Sequence, residues 1–134
     1  MKAIADTGLI VAFGNGRDRH HAWAVELAEK ATEPFLTCEP VLAEAAFHLR
    51  SVTLVLAMVN EGLLRLDFDV ASHLDRIAQL ARKYEERRPD LADLCLVRMS
   101  ELNPRHSLVT VDADFLVYRR NGREVIPVIM PAKR

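Results

Sequence analysis

Short β-type runs alternating with helix-type stretches predict an α/β fold whose parallel sheet is wrapped on both faces. Three observations carry it. Apolar runs at Lys2 to Ala5, Phe35 to Cys38, Leu63 to Phe68 and Ser107 to Val111 have the length and composition of strands. The stretches between them have helical periodicity: Trp23, Leu27 and Ala31 repeat every four residues beside Ala24 and Ala28, opposite Glu26, Glu29 and Lys30. Asp6 and Asp112 each follow a strand-type run directly, at the sheet edge where open α/β folds place their chemistry.

In chain order, Lys2 to Ala5 is the first strand, and Gly8 to Phe13 is a short helix ended by Gly14-Asn15-Gly16. Asp18 then caps a helix running to about Ala31. Phe35 to Cys38 is the second strand. Pro40 opens a helix through about Arg50, and Val52 to Asn60 is a further helix broken by Gly62. Leu63 to Phe68 is a strand, and Ala71 to about Arg87 is one long amphipathic helix stopped before Pro89. Asp90 to Leu102 is almost wholly apolar after its first turn, which predicts a helix covered on most sides. Ser107 to Val111 is a strand, and Asn121-Gly122 is placed to turn a hairpin between Leu116 to Tyr118 and Val125 to Ile129.

With 134 residues, half of them hydrophobic, the chain fits one domain over residues 1–130 with a short tail at 131–134. The net charge of −1 argues neither for nor against a polyanionic partner. Basic residues instead cluster at Arg17 and Arg19, Arg82-Lys83, Arg87-Arg88, Arg119-Arg120-Arg123 and Lys133-Arg134, and such clusters are most often solvated faces. Cys38 and Cys95 have no paired spacing, which argues against a zinc or redox motif and reads as small buried thiols in a reducing compartment. The first strand starts without a charged-then-apolar leader, and the longest apolar stretch, Val52 to Val59, is too short to span a bilayer. A cytoplasmic protein with no membrane partner is expected.

The acids stand out against this background. Asp6 fits an ordinary turn before Thr7-Gly8, yet a carboxylate at the exit of a central first strand also meets the shared crevice. Glu44, with Val41, Phe47 and His48 as its three- and four-residue neighbours, reads alone as a helix acid at the edge of the core. His48 is placed to hydrogen-bond it. Asp90 and Asp93 follow a proline as Asp-x-x-Asp, an arrangement that also caps helices. Capping accounts for Asp90 better than for Asp93, which shares a face with Leu96 and Val97 on a covered helix. Asp112 and Asp114 fit a turn, and Thr110 beside them offers a hydroxyl to orient a carboxylate or a phosphate. His20-His21 is a poor metal pair because adjacent helical residues diverge, and Trp23, Tyr84 and Tyr118 are too scattered in sequence for a base-stacking platform.

Widely spaced acids in apolar settings suggest convergence on a divalent cation. Two carboxylates about 5 Å apart repel by roughly 3 kcal/mol at an effective dielectric near 20, and a cluster multiplies that. Oxygen-only donor sets suit Mg2+ or Mn2+ rather than zinc, and such an ion serves phosphodiester hydrolysis.

Taken together, Asp6-Thr7-Gly8-Leu9, Glu44 in a mid-chain helix, Asp93 within Asp90-Leu91-Ala92-Asp93-Leu94, and Thr110-Val111-Asp112-Ala113-Asp114-Phe115 resemble the PIN-domain family, close to its VapC-type toxin ribonucleases. Asp18-Arg19-His20-His21-Ala22 resembles a further stretch of that group. The resemblance implies a three-layer α/β/α sandwich and a Mg2+- or Mn2+-dependent endoribonuclease, usually a homodimer, restrained by a cognate antitoxin. It also implies that Asp6, Glu44 and Asp93 occupy metal-ligand positions with Asp112 as the fourth, that Asp114 shares or replaces Asp112, and that Asp90 is an outer acid or a cap.

Two other readings compete. A PIN-like module that binds RNA or protein without turnover is disfavoured by the full acid set. A phosphoacceptor receiver domain needs an adjacent acidic pair after the first strand and a lysine after the last, and neither Ala5-Asp6 nor Leu108 to Thr110 supplies them.

Overall fold

The computed structural model describes residues 1–132, so the Lys133-Arg134 pair lies outside the described residues. Its strands are β1 (Ala3–Ala5), β2 (Phe35–Thr37), β3 (Leu64–Leu66), β4 (Ser107–Val109), β5 (Arg119–Arg120), β6 (Glu124–Val125) and β7 (Val128–Ile129). Its helices are α1 (Thr7–Gly14), α2 (His21–Lys30), α3 (Glu39–Leu49), α4 (Val52–Asn60), α5 (Leu74–Lys83) and α6 (Leu91–Leu102). Five strands form one parallel sheet in the order β3-β2-β1-β4-β7, while β5 and β6 pair separately as an antiparallel hairpin. The α/β expectation holds.

Every residue of β1 and β2 is buried, as befits parallel strands covered on both faces. Right-handed crossovers put α1 to α4, which link β1, β2 and β3, on one face, and α5 and α6, which lead back to β4, on the other. The packing agrees: α1 lies against α2, α3 and α4, and α6 lies against α5, β1 and β4. The strand order reverses between β1 and β4, so the crevice beyond their C-terminal ends is the switch point of the sheet. No helix among the described residues is long and apolar enough to cross a membrane. Cys38 and Cys95 are both free and buried.

Three local expectations are corrected. Asp18 does not cap α2: its carboxylate accepts the His20 N–H at 2.8 Å, building a turn, and α2 begins at His21 without a side-chain cap. The segment Ala71 to Arg87 is not one helix but α5 flanked by 3-10 turns at Val70–His73 and Glu85–Arg87. Asp69 starts the first turn by accepting from the Ala71 N–H and the Ser72 hydroxyl. Tyr84 ends α5, drawn aside by edge-to-face packing on Tyr118 and by the Arg119 N–H, which donates to its hydroxyl at 2.8 Å.

The third correction concerns the hairpin. Asn121 and Gly122 do turn the chain, with φ of 50° and 86°, but they join β5 to β6. Leu116 ends a 3-10 turn at Ala113–Leu116, and the Val117 and Tyr118 N–H groups go to the Asp114 carbonyl instead of a strand partner. Beyond Ile126, Pro127 lacks an N–H for the hairpin ladder, and Val128–Ile129 joins the central sheet beside β4.

Candidate functional site

The register of the sheet brings Asp6 to Thr110. Ala5 pairs with Val109 across β1 and β4, so the next residues leave adjacent parallel strands side by side. The Thr110 hydroxyl donates to Asp6 Oδ2 at 2.6 Å, and the Thr7 N–H donates to Oδ1 at 2.6 Å. Thr110 Oγ1 also accepts the Asp112 N–H at 2.9 Å, so one buried hydroxyl fixes the first acid and the loop that carries the fourth. Gly8 permits this closeness: a Cβ there would lie 2.3 Å from Val111 Cγ2.

The helices deliver the remaining acids. In a parallel α/β layout the helices run back from the C-terminal edge of the sheet, so the start of α6 lies at that edge. Asp90 caps α6 by accepting the Asp93 N–H at 2.8 Å. Glu44 projects from the second turn of α3 and feels the charge of Asp90. Asp112 accepts the Asp114 N–H at 2.8 Å. Asp114 itself pairs with Arg87 at 3.4 Å.

Electrostatics show that these carboxylates share one field. Burial pushes Asp6 up to about 6 against the opposing Thr110 and Thr7 donors, and the charges of Asp112 and Asp90 push it the same way. Burial, followed by the charges of Asp90, Asp6 and Asp112, raises Asp93 to about 7. Glu44 is raised by burial and then by Asp90 and Asp6. Asp6, Glu44 and Asp93 thus all feel the charge of Asp90, and Asp6 and Asp93 also that of Asp112, while Asp114 stands at the rim facing an arginine. Asp90, expected as an outer acid, acts on Asp6, Glu44 and Asp93 alike.

The donor set is all oxygen, which fits a hard dication. Asp6 is fixed by two hydrogen bonds, and burial followed by neighbouring acids raises it together with Glu44 and Asp93. Among the described residues no three His, Cys, Asp or Glu side chains are gathered closely enough to hold a metal ion as they stand.

Other sequence candidates fall away. His48 is exposed, stacks edge-on against Phe47, and makes no hydrogen bond to Glu44. His21 Nδ1 sits 2.7 Å from the Ala12 carbonyl, and His20 packs on Trp23, so the pair is structural. Arg120 is buried, donating to Ser100, Pro104 and Glu124, and Arg119 caps the carbonyls of Leu116, Val117 and Tyr118. Tyr84 and Tyr118 meet at 5.0 Å despite their distance in sequence, but Tyr118 is wholly buried and this pair is core.

Sequence reasoning missed the hydroxyl of Tyr118. It has no hydrogen-bond partner among the described residues, and burial followed by the charges of Asp93, Asp114 and Asp112 pushes it up to about 12. Thr7 Oγ1, next to Asp6, is likewise buried and unpartnered among the described residues. No local pattern marks either one.

No curated protein sequence matches the chain significantly. Among solved structures, the toxin VapC20 of Mycobacterium tuberculosis, described as cleaving the sarcin-ricin loop, superposes with a TM-score of 0.72 at 18% identity. The match covers 84% of this chain and 91% of that one, and it shows a shared fold. The family model for the PIN domain matches residues 3–121, from the first strand through the β5 hairpin turn. The chain belongs to the PIN-domain family.

Proposed function

We propose that the chain is a metal-dependent endoribonuclease, a VapC-like toxin that acts in the cytoplasm as a single domain over residues 1–130 and is restrained by a cognate antitoxin. The observation that carries this reading is that Asp6, Glu44 and Asp93, from the exit of β1, from α3 and from α6, all bind protons more tightly than usual, through burial first and then through the charges of neighbouring acids, Asp90 among them for each. A structural cluster would be neutralised by arginines or lysines. Here the acids face one another, an arrangement that serves a bound cation.

Asp6, Glu44, Asp93 and Asp112 would hold Mg2+ or Mn2+, with Asp90 bridging Glu44 and Asp93 from outside. The ion would supply a more acidic water and charge neutralisation for the phosphoryl oxygens. The chain's own residues do the rest. Thr110 and Thr7 hold Asp6 in a single orientation, so its position does not have to be established during the reaction. The buried walls from β1, β4 and α6 keep the acids in a poorly solvated edge, which strengthens their hold on a cation.

The antitoxin would use the apolar face of α3 and α4, where Phe47, Val52 and Leu56 are exposed and Ala43, Ala46 and Phe47 line an open groove of about 810 Å³. A homodimer is part of the same proposal. The alternative reading is a PIN-like module without turnover. One experiment separates them: antitoxin-free protein is incubated with unstructured RNA and either Mn2+ or EDTA. Cleavage that requires Mn2+ and disappears in Asp93→Asn supports the nuclease, and absence of cleavage in the wild type leaves the module.

A further inference from the structure

We propose that Arg87, held at the rim of the acid edge by Asp114, grips a phosphate of the RNA strand, and that Asp114 is its anchor and not a metal ligand. This rests on the nuclease reading above.

Five acids at one edge repel the backbone they are meant to cut, so a nearby cation has to receive the strand. Several arginines of α5, α6 and the hairpin are already committed to partners of their own. Arg120 is buried on Ser100 and Glu124, Arg119 serves three carbonyls, and Arg76 and Arg98 are tied to Glu101. Arg87 differs. It closes the 3-10 turn Glu85–Arg87, and Arg88, with φ of 50°, then bends the chain so that Asp90 can cap α6.

That bend places the Arg87 guanidinium beside Asp114, whose N–H is bonded to Asp112. Its Nη1 has one partner at 3.4 Å, a loose contact, and its side chain is 44% exposed. A guanidinium has five donors, so a bidentate face remains for phosphate. The charge of Arg87 also reaches the Tyr118 hydroxyl, which feels Asp93, Asp112 and Asp114 as well. Arg87 therefore lies in the field of the acids. An ion pair this exposed adds little to stability, so the fold gains little from it.

The test uses the intact chain and a 2′-O-methyl RNA oligonucleotide that cannot be cleaved, with binding read by fluorescence anisotropy in EDTA across a KCl series. Arg87→Gln is expected to weaken binding about tenfold and to reduce the salt slope by about 0.7, one phosphate contact on a single strand. Arg87→Lys should recover part of the loss. In Mn2+ with cleavable RNA, Arg87→Gln should raise KM with kcat within about threefold. Asp114→Asn should leave unchanged the Mn2+ concentration that half-shifts the melting temperature.

Wild-type binding matched by Arg87→Gln, with the same slope, overturns this inference alone and leaves a structural clip. A large rise in the Mn2+ needed by Asp114→Asn makes Asp114 a ligand and overturns its anchoring role. A wild type that binds no RNA overturns the nuclease reading as well.

Discussion

At the N-terminal end of α6, Asp93 sits among like charges and its carboxyl is raised to about 7; at the C-terminal end of the same helix, Glu101 is held down at about 2. The helix dipole would do the reverse, favouring an acid at the start and opposing one at the finish. Partners decide instead. Burial alone would raise Glu101, but Arg76 grips it through Nε and Nη2, the Asn121 N–H donates at 2.7 Å, and Arg98 adds a further bond. One end of α6 binds α5 and the hairpin together with a neutralised acid. The other keeps its acids without such partners, at the edge proposed to bind a cation. Stability and function are separated along a single helix.

The comparison breaks most visibly at Asp93. Replacing it with Asn should lower Mn2+-dependent RNA cleavage by at least about a hundredfold, measured with gel-resolved cleavage of a labelled oligonucleotide. The same variant should melt roughly 4 °C higher than wild type in EDTA at pH 8, because one repelling charge is gone. Asp6→Asn should stabilise less. Asp6 accepts from both Thr110 and Thr7, and an amide would turn its NH2 group toward one of those donors.

Glu101→Gln probes the opposite end. A glutamine cannot serve both arginines and the Asn121 N–H, so urea unfolding should show a loss of about 2–4 kcal/mol. The figure is moderated because Arg76 and Arg98 are partly exposed and can turn to water. RNA cleavage per folded molecule should hardly change.

The two ends also predict a pH profile. Asp6 and Asp93 bind their protons more tightly folded than unfolded, so their contribution is complete below about pH 4 and is lost as pH rises through about 6 to 7. Glu101 contributes above about 4.5 and loses its contribution as pH falls toward about 2. The metal-free protein should therefore melt highest near pH 4. Asp93→Asn should flatten the alkaline decline and leave the acid limb alone, and Glu101→Gln should do the converse. A profile that climbs steadily to pH 8 in EDTA would contradict the repulsion at the acid edge.

How much of this was legible in the sequence follows from the range of the interactions. β1, β2 and β4 are apolar runs whose burial is decided locally, β3 is an edge strand with only Leu64 buried, and each was readable to within a residue or two. The acids were readable because carboxylates in apolar runs such as Leu91-Ala92-Asp93-Leu94 conflict with their surroundings. What was not readable depends on contacts far along the chain. Tyr84 stops α5 by meeting Tyr118 and Arg119, and Val128–Ile129 leaves the hairpin for a place beside β4. The unpartnered Tyr118 hydroxyl and the Arg87–Asp114 pair exist only once the 3-10 turns are formed. Thr110 was singled out for its hydroxyl, but its two hydrogen bonds, donated to Asp6 and accepted from the Asp112 N–H, needed the register of β1 against β4.

Thr110→Val tests that register contact at nearly constant volume. It removes the donor to Asp6 and the acceptor for the Asp112 N–H, both in a fully buried setting. A stability loss of about 1–2 kcal/mol is expected, with cleavage down about tenfold. Asp6 should also titrate higher, since the Thr110 bond is the largest influence lowering it. NMR titration of the Asp6 carboxyl would check this.

Asp90→Asn should have the smallest effect, and its smallness is informative. Asn caps a helix about as well as Asp, so the bond from the Asp93 N–H survives and the melting temperature should stay within about 2 °C of wild type. What changes is charge. Asp90 is the neighbouring acid that acts most strongly on both Glu44 and Asp93, so its removal should let both ionise at lower pH. Cleavage should then fall only a fewfold at pH 8 and hold up better than wild type below pH 6, where Asp93 of the wild type is mostly protonated. If instead Asp90→Asn abolishes cleavage at every pH while the fold is intact, Asp90 binds the ion directly, and the cap of α6 and the metal site are the same residue.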